Sequence, residues 1–357
     1  MGSSSITDEQ GEIARPAVDK LCSEVAALRD RGHRVVVVTS GAIAAGLPAL
    51  GLAGSRPVDV ATLQAVSAVG QSRLMRVYDD VLARRGLVGG QVLLAPLDFV
   101  HRSQYLHARG TLRRLLDLGV VPVVNENDAV ADDEVRFGDN DRLAALVANL
   151  VAADVLVLLT DAPGVLERDP RFEEGASLIE EIIEVDHELE RVAGGAGTVR
   201  GSGGMATKLA AAKMAAWSGV RAVIAAADRS SVLEEAVEGV AGVGTVLRPR
   251  DRRLPARKLW IAFAVEPSGV VVVDDGARRA LVERQSSLLP AGVLDVEGAF
   301  EADAAVEICD RGGGVFAKGL ARVGSDVLRQ VAGRRTADLP EGLPHEVVHR
   351  DDLVTLP

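Results

Sequence analysis

The sequence predicts an α/β protein in which helices sandwich a mainly parallel open sheet, with a small β-rich domain following it. Three observations lead to this prediction. Short apolar runs such as 35–38 are typical of strands buried on both faces, as in parallel sheets. These runs alternate with longer segments that have helical spacing. After a basic, proline-containing stretch at 248–257, the pattern changes to short strands separated by glycines.

The predicted first domain, residues 1–247, is built from alternating elements. Apolar residues three and four positions apart, such as those of 16–31, predict helices, and β-branched runs predict strands. Helices are predicted over 16–31, 59–85, 102–118, 142–148 and 209–216, and strands over 35–38, 90–94, 120–124, 155–159, 220–226 and 244–247. The helix over 59–85 carries Gln64, Gln71, Ser72 and Arg73 among small apolar residues. The acidic segment 177–192 is expected to form a solvated edge.

The C-terminal part of the chain is predicted as three segments. Residues 248–257 are expected to link the domains, 258–334 to form the β-rich domain, and 335–357 to form an extension. Strands are predicted in this part over 259–264, 270–273, 304–309 and 315–320.

Composition and charge exclude several classes of function. The chain has 357 residues, 48% of them hydrophobic, and a formal net charge of −11. This acidic balance argues against a general binder of nucleic acids or anionic membranes. Cys22 and Cys309 lie far apart without metal-ligand spacing, and no apolar run is long enough to span a membrane. A cytoplasmic protein whose two cysteines are free thiols and bind no metal is therefore expected.

A glycine-rich stretch precedes the alanine-rich helix at 209–216. Residues 201–208 read Gly-Ser-Gly-Gly-Met-Ala-Thr-Lys. Glycines let a backbone approach a ligand closely, and a helix N-terminus attracts phosphate, while Lys208 adds a full positive charge. The spacing is not that of a P-loop. Taken alone, the stretch is equally compatible with a packing turn followed by a solvated lysine.

Polar residues follow three of the predicted strands, and a fourth polar group precedes the helix over 142–148. Thr39, Ser40 and Gly41 follow the strand over 35–38, and Thr160 and Asp161 follow that over 155–159. Two clusters rich in Asn and Asp, 125–128 and 138–141, lie on either side of an acidic loop. Open α/β sheets bind ligands at the carboxyl ends of their strands. Carboxylates and carboxamides there could orient an α-amino acid, although a tight packing turn or a helix cap at 140–141 would use the same residue types.

In this order and at these distances, the motifs closely resemble the amino acid kinase family, and within it the glutamate 5-kinases. They are residues 39–46, 125–128, 138–141, 160–161 and 201–208. Residues 258–334 resemble a PUA domain, marked by 273–277 and 286–293. The resemblance covers nearly the whole chain.

The resemblance implies ATP-dependent phosphorylation of the L-glutamate γ-carboxylate, the first step of proline biosynthesis. The implied glutamate-binding residues are Ser40, Gly41, Asn125, Asp128 and Asn140. The implied ATP-binding residues are Thr160, Asp161, Ser202, Gly203, Gly204, Met205, Ala206, Thr207 and Lys208. Lys208 would stabilise the transferring phosphoryl group and Asp141 would position that lysine. The resemblance also implies Mg²⁺, inhibition by proline, and a homodimer or homotetramer.

The N-terminal segment departs from the family pattern. Family members begin with a strand that ends in a lysine, directly before the position of Met1, and then a Gly-Ser-Ser turn like that of residues 2–4. That strand and its phosphate-binding lysine are missing. We expect a misassigned start codon, with poor activity and stability for the chain as written.

Three alternatives remain open at this stage. The first is another amino acid kinase, acting on acetylglutamate, aspartate or a carbamate. The second is an inactive regulatory paralogue without the N-terminal lysine. The third is an RNA-binding protein acting through the PUA-like domain. Residues 256–334 hold 10 Lys and Arg against 11 Asp and Glu, so nucleic acid is an unlikely partner.

Overall fold

The computed structural model describes residues 6–7, 12–54, 57–99, 101–130, 140–168, 176–183, 204–250, 254–263, 265–340 and 342–356. The chain divides into two compact units, Met1–Arg253 and Leu254–Pro357. Among the helices within those ranges, none is long and apolar enough to cross a membrane.

The first unit alternates helices and strands in the predicted order. Its helices are α1 (Arg15–Asp30), α2 (Ala42–Gly46), α3 (Val60–Ala83), α4 (Arg102–Asp117), α5 (Asn140–Val151), α6 (Met205–Trp217) and α7 (Val232–Glu238). Its strands are β1 (Val37–Val38), β2 (Gly89–Leu94), β3 (Val121–Glu126), β4 (Val155–Thr160), β5 (Glu181–Ile182), β6 (Arg221–Ala226) and β7 (Thr245–Leu247). Helix α7 has no counterpart among the predicted elements. The segment expected to be a solvated acidic edge contains β5, and its residues from 184 onward lie outside the described residues.

The described strands of this unit form two sheets. One has the order β1-β3-β2 and is parallel throughout. The other has the order β4-β6-β7-β5, in which only the β6–β7 pair is antiparallel. The predicted α/β class with a mainly parallel arrangement is therefore confirmed. Because Val38 is in register with Val124, the carboxyl ends of β1 and β3 lie side by side.

Helix α1 shows how the local sequence sets an element's limits. A proline in the first turn suits the start of the helix, and Val18, Leu21 and Val25 on its buried face pack into the core of the unit. The helix ends at Asp30, and two residues later Gly32 has a φ of +87°, the left-handed conformation that glycine adopts freely. The amide of His33 then donates to the carbonyl of Leu28.

Helices α2 and α3 pack with their backbones in contact. A Cβ added to Gly70 of α3 would lie 1.7 Å from the carbonyl oxygen of Ala42, and one added to Gly46 would lie 2.1 Å from the carbonyl oxygen of Val66. Only glycine permits so close an approach. The contact holds α2, and the turn that precedes it, directly against α3.

The second unit is built around a five-stranded mixed sheet. Its strands are β8 (Gly269–Val273), β9 (Val293–Gly298), β10 (Ala305–Cys309), β11 (Val315–Ala321) and β12 (Val348–Thr355), in the order β12-β11-β10-β8-β9. Its helices are α8 (Ala256–Phe263), α9 (Asp275–Arg284) and α10 (Ser325–Val331).

Two features of this unit differ from the sequence-based expectation. The strand predicted over 259–264 is wrong, because these residues mostly belong to α8. A short apolar run does not distinguish a strand from a buried helix, and the preceding Ala, Arg and Lys are good helix formers. In addition, β12 lies within 335–357 and pairs with β11, so the predicted extension provides an edge strand of this sheet.

Candidate active site

The turn after β1 is held by a buried hydroxyl pair. Thr39 is fully buried, its amide donates to the carbonyl of Val124 at 2.9 Å, and its Oγ1 shares a 2.8 Å hydrogen bond with the Tyr78 hydroxyl of α3. Burial raises the pKa of that hydroxyl. Ser40 follows, 8% exposed, and then Gly41 with φ of +102°. This places Ser40 beside the end of β3.

The end of β3 joins two of the predicted residues through one backbone amide. The amide of Glu126 donates to Oδ1 of Asn125 at 2.9 Å and to Oδ1 of Asn140 at 3.2 Å. Asn140 is the first residue of α5. Both asparagines are more than nine-tenths buried. Residues that are 15 positions apart in the chain thus form one polar cluster.

Helix α3 contributes two polar side chains to this cluster. Ser67 Oγ donates to Oδ2 of Asp128 at 2.9 Å, and Oε1 of Gln71 accepts from Nδ2 of Asn125 at 2.8 Å. Ser67, Gln71 and Asp128 are each less than one-tenth exposed. No functional role was predicted for either helix residue. The signal available in the sequence was a pair of polar residues four positions apart, which places them on one face of a helix.

A buried ion pair lies next to this cluster along α5. Nζ of Lys208 lies 3.0 Å from Oδ2 of Asp141, and the two side chains are 7% and 12% exposed. Thr207 donates its hydroxyl to the same carboxylate oxygen at 2.9 Å. The structure therefore brings together Lys208 and Asp141, a pair that the family resemblance implies, and packing of α5 against α6 carries that contact. Asp141 directly follows Asn140, so the ion pair and the polar cluster are adjacent.

The remaining predicted residues are placed less closely or lie outside the described residues. Thr160 ends β4 and donates its hydroxyl to Oδ1 of the exposed Asp161 at 3.1 Å. Within the described part of the chain, neither residue hydrogen-bonds to Lys208 or Asp141. Gly204 caps α6, and Met205 and Ala206 form its first turn. Ser202 and Gly203 fall among residues 184–203, which are not described.

This arrangement suits a reaction at a negatively charged group. The α6 N-terminus presents amides without intrahelical partners and a partial positive charge, which favours phosphate. Lys208, one turn into that helix, adds a full charge that Asp141 holds in place. Asn125, Asp128 and Asn140 offer carboxylate and carboxamide groups of the kind that bind an amino acid.

Comparison with known proteins identifies relatives for both units. The chain matches the model of the amino acid kinase family over residues 1–226 and that of the PUA domain over residues 269–343. A protein of Pelobacter propionicus named glutamate 5-kinase is 42% identical over 360 residues, covering 100% of this chain and 96% of the relative. A glutamate 5-kinase of Anaeromyxobacter dehalogenans is 45% identical over 362 residues, covering 100% of this chain and 95% of the relative.

Solved structures of isopentenyl phosphate kinase are also similar. One is 21% identical with a TM-score of 0.48, and the match covers 69% of this chain and 97% of that one.

Proposed function

The chain belongs to the glutamate 5-kinases of the amino acid kinase family, and we propose that it transfers the γ-phosphoryl group of ATP to the γ-carboxylate of L-glutamate. The product would be L-glutamyl 5-phosphate, which enters proline biosynthesis. Full-length similarity to proteins of this name supports the reaction over an inactive paralogue or another amino acid kinase.

The observation that carries the proposal is the buried Lys208–Asp141 pair beside the Asn140 cluster. A glutamate carboxylate is already ionised at neutral pH, so it needs no general base to become a nucleophile. Catalysis then depends on alignment of the two substrates and on neutralising charge on the transferring phosphoryl oxygens. Lys208 would supply that charge, and Asp141 would hold its ammonium group in position.

We assign the polar cluster to glutamate. Ser40, Gly41, Asn125, Asp128 and Asn140 would bind the amino acid. Asp128 would accept from its α-ammonium group, whereas hydroxyl and carboxamide donors would bind its carboxylates. Because all five residues lie at strand ends or at the starts of the following elements, the acceptor carboxylate would face the phosphate-binding end of α6.

We assign ATP to the N-terminal end of α6 and to the end of β4. Thr160, Asp161, and residues 202–208 would bind the nucleotide. Among the described residues, no three His, Cys, Asp or Glu side chains converge as a metal cage. Kinases hold Mg²⁺ largely through substrate phosphates and water, so the ion would enter with ATP. When bound, Mg²⁺ would neutralise part of the phosphate charge.

Regulation and assembly form a second part of the proposal. We infer a cytoplasmic homo-oligomer, dimeric or tetrameric, whose activity proline inhibits. Addition of proline should lower turnover at subsaturating glutamate, and light scattering should give a mass at least twice that of the 37.4 kDa chain. A monomer, or turnover that is insensitive to proline, would contradict this part.

A substrate panel tests the reaction. Purified protein is incubated with ATP, Mg²⁺ and one acceptor from glutamate, aspartate, N-acetylglutamate or carbamate, and ADP release is measured. Hydroxylamine traps an acyl phosphate as a hydroxamate, which identifies the product bond. We expect ADP and hydroxamate with glutamate alone. Equal turnover with another acceptor, or ADP release without hydroxamate, would refute the assignment.

A further inference from the structure

We propose that Ser67 and Gln71 of α3 are positioning residues of the amino acid site, which orient Asp128 and Asn125 for the acceptor substrate. This inference rests on the proposed function, since it deepens the assignment of that site. It gives α3 a role beyond packing, because the same helix also contacts the Ser40 turn.

Ser67 is hydrogen-bonded to the carboxylate of Asp128. Its side chain is 3% exposed and its hydroxyl donates to Oδ2 of Asp128 at 2.9 Å. A hydrogen bond to an ionised carboxylate is stronger than a neutral one. Asp128 opens the short 3-10 turn Asp128–Val130, just beyond β3. The bond from α3 therefore sets the plane of this carboxylate relative to the sheet.

The orientation of Gln71 is set through Asn125. Oδ1 of Asn125 accepts from the Glu126 amide, so the other end of that carboxamide, Nδ2, must be the donor. Its acceptor is Oε1 of Gln71 at 2.8 Å. This leaves Nε2 of Gln71 as a buried donor with no hydrogen-bond partner among the described residues. The orientations thus follow from a backbone amide, whose donor is unambiguous.

That unused donor distinguishes a site residue from a packing residue. Buried polar atoms in folded proteins almost always have a partner, so one without a partner needs a reason. A leucine or methionine of similar volume would fill the same space without this cost. Gln71 is 8% exposed and holds Asn125 in a single orientation. We infer that it serves the amino acid site at some cost to folding.

Ser67 and Gln71 are four residues apart and therefore lie on the same face of α3, about 6 Å apart along its axis. Gly70, between them, brings α2 into backbone contact with the helix. One rigid element therefore sets the separation between the Ser40 turn, Asn125 and Asp128. A change on that face should alter amino acid binding and leave the ATP side untouched.

The test compares three substitutions with a matched control. Ser67→Ala removes the hydroxyl, Gln71→Met keeps the volume without the carboxamide, and Ser67→Thr retains a hydroxyl. The control is Ser218→Ala, which removes an equally buried hydroxyl about 15 Å along α6 from Lys208. KM is measured for glutamate and for ATP, glutamate binding is measured by calorimetry, and folding is followed by thermal melting.

We expect Ser67→Ala and Gln71→Met each to raise the glutamate KM and Kd about tenfold, as loss of a hydrogen bond in a charged site does. The ATP KM should stay within twofold, Ser67→Thr should recover most of the affinity, and the control should match the wild type. If Ser67→Ala unfolds, Ser67→Cys provides a milder substitution of the same atom.

The outcomes separate this inference from the proposed reaction. Glutamate affinity within twofold of wild type in both variants overturns the inference, as does an equal loss of ATP affinity. If the wild type binds glutamate but releases no ADP, the proposed reaction fails and the calorimetric comparison still decides the positioning role. If the wild type does not bind glutamate, both are refuted.

Discussion

Lys208→Met is the substitution that most directly tests the proposed chemistry. It removes the ammonium group at 3.0 Å from Asp141 and keeps an unbranched side chain of similar length. We expect kcat to fall by about 10²–10³, the usual effect of removing one electrostatic group from a transition state. The glutamate KM should change little, because the amino acid cluster is held by hydrogen bonds that do not include the lysine.

The same substitution also carries a cost in stability, which must be separated from its effect on turnover. Breaking a buried ion pair typically costs about 3–5 kcal/mol, because the remaining charge stays buried without its partner. The hydroxyl of Thr207 still donates to Asp141 at 2.9 Å, so we expect the low end, about 3 kcal/mol. Asp141→Asn should cost a similar amount, because it leaves the ammonium group of Lys208 without an anionic partner.

A double variant separates the two effects. In Lys208→Met/Asp141→Leu both charges are absent, and replacing a buried pair with apolar residues is often neutral or stabilising. Urea unfolding should therefore show that the double variant regains most of the stability lost in Lys208→Met, while ADP release stays as low as in the single variant. Turnover within tenfold of wild type in either variant would refute the role given to Lys208. If the double variant recovers activity as well as stability, Lys208 has a structural role and not a catalytic one.

Three further predictions concern the surroundings of the site. Gly70→Ala should lower the free energy of unfolding of the first unit by more than about 3 kcal/mol, because the added Cβ would lie 1.7 Å from a carbonyl oxygen of α2. Urea unfolding measures this change, and a loss below about 1 kcal/mol would contradict the close contact. Tyr78→Phe should cost about 1 kcal/mol at pH 7 by removing the bond to Thr39. Because burial raises the pKa of the Tyr78 hydroxyl above 10, the unfolded chain loses that proton first and stability falls as pH rises above 10. Between pH 10 and 11.5, the stability of the phenylalanine variant should fall less steeply with pH than that of the wild type. Equal slopes for the two proteins would contradict the raised pKa of Tyr78. Burial also raises the pKa of the Cys22 thiol to about 12. Iodoacetamide at pH 8 should therefore modify Cys22 only in unfolded protein, as measured by peptide mass spectrometry. Rapid modification of the folded protein would contradict this prediction, because it would show that the thiol is accessible.

The parts of the site that could be predicted from the sequence are those that follow a strand. Asn125 and Thr160 each stand where an apolar run ends, and open α/β sheets bind ligands at the carboxyl ends of their strands. The pairing of Lys208 with Asp141 came from resemblance, since nothing in the local pattern of either residue indicates a partner 67 positions away. The helix over 256–263 was missed because a short apolar run carries no clear period.

The contribution of α3 could not be predicted for a different reason. Ser67 and Gln71 lie 61 and 54 residues before the side chains that they bond. Both belong to α3, and most other buried residues of that helix are apolar or small. Small polar residues in such a helix usually satisfy their own backbone or face solvent, as Ser72 does when it donates to the carbonyl of Val69. Ser67 and Gln71 differ from Ser72 because both are buried and each hydrogen-bonds to a side chain outside α3. Because Gly70 brings a second helix against the same face, a single α-helix contacts both strand-end segments of the candidate site, the turn after β1 and the end of β3.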